Sequence, residues 1–303
     1  MYISPDDAKS DVILAGATVL FGGLVLAIVA QLPLYPRSGV LAAVLDLIWI
    51  LALTAVVPWL LSRYRGDGLA AFGLDGDRSA IAGGIPLALP IIAAQVTSVV
   101  LLGGSLAQAV GGRLGGVLGA GGALQAGGPT FLVLQGARFV VLSLGAILLT
   151  SFLATRSREA FPRSPEMSLT EMVRTFGMGA AALAFLAGLL GTLGSLPAFL
   201  GMLVTVAALV TVLLLADRRL PSRVSVPRAT IIAPAVIVLL IHIFASGGFL
   251  GGGLINGLYP GALGAGIAIA VSALVQVRAV AWSIVPLLLA AHWWQSTLSP
   301  LAF

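Results

Sequence analysis

The sequence predicts an all-α protein, a polytopic transmembrane helical bundle of about nine spans (eight to ten). Three observations predict it. Of 303 residues, 59% are hydrophobic and only 9% are charged, the mean hydropathy is +1.10, and 38 glycines sit among Leu, Val and Ala, as in closely packed membrane helices. No ordinary water-soluble domain has that balance, so the expected solvent is the lipid bilayer.

Crossing about 30 Å of hydrocarbon takes roughly twenty apolar residues. Nine stretches qualify, approximately 12–34, 40–61, 79–104, 130–155, 172–194, 197–216, 229–245, 262–275 and 279–294, the last two being short. Only Ser195 and Leu196 separate the fifth from the sixth, which predicts a tight helical hairpin. The whole chain, 1–303, reads as one membrane domain with a short acidic tail over 1–11. That tail carries Asp6, Asp7 and Asp11 against Lys9, not the positive start of a cleaved signal peptide, so a retained first span is expected from Val12.

Basic residues set the orientation. With a cytoplasmic amino terminus, the inner segments collect Lys9, Arg63, Arg65, Arg78, Arg156, Arg158, Arg163, Arg174, Arg218, Arg219, Arg223, Arg228 and Arg278, whereas the outer side holds Arg37 and Arg113. The expected location is the plasma (inner) membrane. These cations are scattered in short loops with no long basic run, so nucleic acid is not an expected partner. The expected partners are the lipid bilayer, a small-molecule or peptide ligand, and another membrane protein.

Two outer loops are rich in glycine. Residues 103–128 hold eleven, including Gly111, Gly115 and Gly119, and 247–261 hold seven, including Gly253, Gly257 and Gly261. Four-residue spacing lets helices approach closely, and such segments read either as re-entrant elements or as flexible connections.

Charges inside spans are costly and mark candidate sites. Counting about 1.5 Å per residue along each helix, Asp46 lies ~9 Å and Arg138 ~12 Å below the outer surface. His242 and His292, the two histidines of the chain, lie ~20 Å above the inner one. These heights coincide in the outer leaflet. Asp46, Arg138, His242 and His292 therefore form a candidate substrate or ion site, with Trp293 and Trp294 closing it from the interface. The competing view is a structural ion pair plus histidines bonded to neighbouring carbonyls. A metal on His242, His292 and Asp46 would have suitable ligand types but no spacing motif, so no metal and no cofactor is expected.

Cysteine is absent, which removes disulfides, thiolate nucleophiles and thiolate metal sites. The sole lysine, Lys9, is not in a phosphate-binding loop, and neither HExxH nor GxSxG occurs.

The stretch "RYRGDGLAAFGLDGDRSAIAGGIPLAL", from Arg63 through the third span, resembles the region preceding the catalytic helices of CAAX-protease and bacteriocin-processing proteins. That family uses EExxxR, FxxxH and HxxxN/D motifs. "SFLATR" matches the first motif's arginine with Arg156, while Ser151 and Phe152 stand in place of both glutamates. "VLLIH" and "HWWQS" supply only the histidines, His242 and His292, with Ser296 where Asn or Asp is required. The resemblance implies a degenerate, non-proteolytic relative, and the absent glutamate pair leaves enzymatic activity open. "FASGG" also resembles the nucleophile region of rhomboid proteases, with Ser246 as nucleophile and His292 as base, although Phe244 replaces the first glycine. A third reading is a secondary transporter or permease subunit for a small solute. Pro86 and Pro90 would interrupt the third span and Pro286 the ninth, as in the broken helices of carriers.

Overall fold

The computed structural model describes residues 3–29, 39–101, 123–192, 195–245 and 254–298. The nine apolar stretches are largely helical over their described residues, with turns at Ser79, Gly84, Ala279 and Val280. Among the described residues five helical segments are long and apolar enough to cross a membrane: Leu47–Arg65, Gly136–Ala160, Leu169–Thr192, Leu196–Asp217 and Gly257–Val275. Three shorter apolar helices accompany them, over Ile85–Ser98, Ala229–Phe244 and Ala281–His292.

Helix α1 (Pro5–Val29) absorbs most of the expected acidic tail. Its start is encoded locally: the Ser4 hydroxyl accepts the Asp7 N–H at 3.1 Å, Pro5 needs no amide donor in the first turn, and Asp6 and Asp7 face the positive helix end. Helix α2 (Gly39–Leu51) runs through a π-helical turn, Ala52–Val56, into α3 (Val57–Arg65), which stops at Gly66 in the left-handed region. After a 3-10 turn over Gly68–Phe72 and the short α4 (Ala80–Gly83), α5 spans Ile85–Leu101. Pro90 lies inside α5, whereas Pro86 falls in its first turn, where a missing N–H breaks nothing.

Helix α6 (Ala123–Ala160) is longer than the expected span at both ends. At 1.5 Å per residue its 38 residues reach ~57 Å, well beyond the hydrocarbon thickness. It takes in 123–128 of the expected outer loop, whose residues 103–122 lie outside the described part. Similarly, α11 (Leu254–Val275) begins inside the second glycine-rich segment, so 254–261 are helical. Between them come α7 (Leu169–Met172), a π turn over Val173–Gly177, α8 (Met178–Thr192), α9 (Leu196–Asp217) and α10 (Ala229–Ala245). The tight α8–α9 hairpin is present, with the Ser195 side chain capping α9. Helix α12 (Ile284–Leu298) follows a 3-10 turn, Ala281–Ser283, which places Pro286 in its first turn rather than at an interruption.

The all-α class holds, with one short non-helical pairing. Strands β1 (Glu166–Ser168) and β2 (Ser225–Pro227) pair antiparallel, Met167 opposite Val226, and tie the loop before α7 to the loop before α10. At three residues each they are too short to leave a periodic signal.

Two helices organise the bundle. Helix α6 carries α1, α2, α10, α11 and α12 on its flanks, and α11 is enclosed by α6, α8, α9 and α10. The core runs along their facing sides through Leu149, Phe152, Leu153, Ile269, Val271 and Leu274. Helices α10 and α11 approach closely because Gly261 and Gly264 offer no side chain: a Cβ on Gly264 would lie 2.9 Å from the His242 ring.

Candidate functional site

The arginine-rich segments come together at one end of the bundle. Arg65 joins the amino-terminal helix through Asp7 at 3.0 Å and Asp11 at 3.2 Å, and Arg278 meets Asp75 at 2.8 Å. Arg219 donates to the Gly83 carbonyl, and the Arg228 N–H donates to the Pro165 carbonyl at 3.0 Å. Five segments that positive-charge counting assigns to a single side are thus joined by direct contacts.

Arg156 is the hub of this end. Its guanidinium reaches Asp11 through Nε at 3.3 Å, Glu159 through Nη1 at 2.7 Å, and Asp67 through Nη2. The Arg156 and Asp11 side chains are each only 2% exposed. The hub packs over Phe152, whose ring centre lies 5.5 Å from the guanidinium carbon and 5.8 Å from the Phe72 ring. Both residues at the glutamate positions of the resembled motif, Ser151 and Phe152, are fully buried in the helix core. At the edge of the hub, outside the spans, the Ser4 hydroxyl and then Arg65 hold the Asp7 carboxyl below its usual range.

Arginines alone guided the sequence reading toward this end, and their partners Asp11, Asp67, Asp75 and Glu159 were missed. The available signal was that Asp67 and Asp75 lie in the same short segment as Arg65, Glu159 beside Arg156, and Asp11 beside Lys9.

Beside the hub opens a cleft of about 480 Å³. Its walls come from the loop before α4 (Gly73, Asp75), the end of α6 (Thr155, Arg158, Glu159) and the segment after α11 (Gln276, Arg278). Gly73, at φ +62°, permits that approach: a Cβ there would lie 2.5 Å from Val275 and 3.3 Å from the Thr155 hydroxyl.

The proposed outer site involves other parts of the same helices. Arg138 sits on α6, and the carriers of Asp46 (α2), His242 (α10) and His292 (α12) all pack on α6. The two rods meet where Gly145 of α6 leaves room for the Thr54 side chain. From that contact, moving away from the Arg156 end, Asp46 is eight residues along the α2–α3 rod and Arg138 seven along α6, or ~12 and ~10 Å. The backbones at 46 and 138 thus stand a similar distance from one shared contact, while the Asp46 side chain lies outside the described part.

His242 is placed in detail. Its Nδ1 donates to the Val238 carbonyl at 2.8 Å, its ring rests against Gly264 of α11, and its Cβ faces Gly261. His292 lies on α12, which is fixed to α5 by the Gln95 amide donating to the Ala290 carbonyl at 2.9 Å. Ser246 and the side chains of Trp293, Trp294 and Ser296 lie outside the described residues. Among the described residues no group of three or more His, Cys, Asp or Glu side chains is arranged to hold a metal ion.

No protein-family model, curated protein or solved structure matches this chain. The functional reading therefore rests on its own residues.

Proposed function

We propose that this chain is a non-cleaving, ligand-binding membrane protein with the outline of a degenerate CAAX-protease-like fold. In this reading its nine apolar stretches all cross the plasma membrane, with the amino terminus and the Arg156 end in the cytoplasm. The ligand, a small molecule or peptide, binds in the outer leaflet around Arg138 and Asp46, flanked by His242 and His292. The single observation that supports the site is that Asp46 and Arg138 stand eight and seven residues from one close approach, Thr54 to Gly145, on packed helices. A carboxylate and a guanidinium at one depth in hydrocarbon favour each other or a ligand that bridges them.

The absence of cleavage is argued from Ser151 and Phe152. A motif built on two glutamates needs carboxylates that reach water, and here a serine and a phenylalanine are locked in a packed core. Arg156, the matching arginine, is occupied by three carboxylates. The test is a fluorogenic CAAX-type peptide incubated with purified protein in proteoliposomes, alongside metal analysis. No turnover and no stoichiometric metal are expected. Cleavage abolished by His292→Ala or His242→Ala would overturn the proposal.

A second reading, solute transport, is favoured by irregular helices: Pro90, Pro234 and Pro260 lie inside α5, α10 and α11, and π turns interrupt two further rods. Substrate-dependent uptake into proteoliposomes that is lost in Arg138→Gln would select it.

A further inference from the structure

The cleft beside Arg156 has its own chemistry, some twenty residues or ~30 Å along α6 from Arg138, and does not depend on the outer site. Its two acids are already answered: Glu159 accepts from Arg156 at 2.7 Å and Asp75 holds Arg278 at 2.8 Å. Arg158 is different. It is exposed, its hydrogen-bond partner across the cleft is the neutral Gln276 amide oxygen at a long 3.4 Å, and among the described residues no carboxylate lies within ion-pair distance of it. Gln276, whose amide oxygen accepts from Arg158, lines the same wall and has its amide nitrogen left as a second donor. The hydrogen-bonding capacity left over is thus that of a guanidinium and an amide N–H, which together favour an anionic acceptor.

We propose that this cleft binds an anionic phosphate ester, with Arg158 as its charged clamp and the Gln276 amide as a second donor. A guanidinium fork matches phosphate oxygens in a bidentate manner, and the amide N–H adds a neutral bond. The remaining wall includes Ile3, Pro162 and Val275, an apolar surface suited to the glycerol carbons of a phosphoglycerol group. The volume of about 480 Å³ accommodates such a group. The same chemistry arrives from two sources, a lipid headgroup at the inner leaflet or a free phosphate monoester in the cytoplasm.

The test uses the full chain. Native mass spectrometry after reconstitution compares retention of phosphatidylglycerol with that of phosphatidylcholine, and calorimetry measures sn-glycerol 3-phosphate in detergent. Selective retention of the anionic lipid identifies the membrane as source, and binding of the free ester identifies a soluble ligand; either supports the site. Arg158→Gln should weaken that binding roughly tenfold or more, as expected for one lost charge-assisted hydrogen bond. Arg163→Gln, an exposed arginine outside the cleft, should bind as the unmodified chain does. The proposal is overturned if neither probe binds, if Arg158→Gln binds normally, or if Arg163→Gln weakens binding equally. Should Arg158→Gln fail to purify folded, Gln276→Leu carries the same test with a smaller expected loss. Peptide cleavage is a separate readout, so failure here leaves the non-cleaving reading standing, and the reverse also holds.

Discussion

Arg156 meets Asp11 across 3.3 Å with both side chains almost completely withdrawn from solvent. The pair fastens the amino-terminal helix to the end of α6, and Arg65 on the far side of Asp11 brings α3 into the same knot. Asp67 and Glu159 complete it. A buried guanidinium without carboxylates would be strongly disfavoured, so these acids are what permits an arginine in the core.

Replacing Arg156 by Met should therefore leave Asp11 buried without its deeper cation. The expected destabilisation is about 3–5 kcal/mol, the range for breaking one partner out of a buried pair. Thermal unfolding of the detergent-purified protein checks this. The double variant Arg156→Met with Asp11→Leu should recover much of the loss, because it removes both buried charges together.

The α10–α11 seam gives a steric prediction. Gly264→Ala should destabilise by about 1–3 kcal/mol, since its Cβ would press on the His242 ring and on Val238. Combining it with His242→Ala should cost less than the sum of the two single changes. Strict additivity in the same unfolding assay would contradict the packing.

Acid should loosen the start of α1. Asp7 is held below its usual range, chiefly by Ser4, so its stabilising effect is complete above the ordinary carboxylate value of 3.8 and is lost as pH falls through the depressed one. Hydrogen exchange over residues 5–11 should accelerate in that window beyond the intrinsic pH effect. In Ser4→Ala the acceleration should begin at higher pH.

The helices were legible because long apolar stretches offer the backbone no alternative to internal hydrogen bonding. Their ends were less so. Gly127, Gly128 and Pro129 read as a break, yet α6 passes through them. The acidic half of the Arg156 hub stayed hidden because Asp11, Asp67 and Glu159 come from three separated segments, and only tertiary structure joins them. The outer site was partly legible: Asp46 and Arg138 stand out as charges within spans, but what relates their positions is the approach of Thr54 to Gly145, which only tertiary structure shows. His242 illustrates the limit of residue type alone, since its Nδ1 is used by its own helix and its ring fills a glycine groove.

The chain lacks cysteine, so topology can be mapped without background labelling. Single cysteines at Arg163 and Arg223 should react with an impermeant thiol reagent only from the side that exposes Lys9, and one at Arg113 only from the opposite side. Reaction of 163 and 223 from different sides would break the shared-end arrangement.

Pairwise crosslinking of Asp46→Cys with Arg138→Cys tests the outer site most directly. A short thiol-bridging reagent should join the two in membranes, while pairing Arg138→Cys with a cysteine two turns below position 46 should give no product. Failure of the 46–138 pair in a monodisperse, folded protein, with efficient joining of the lower pair, would contradict the site.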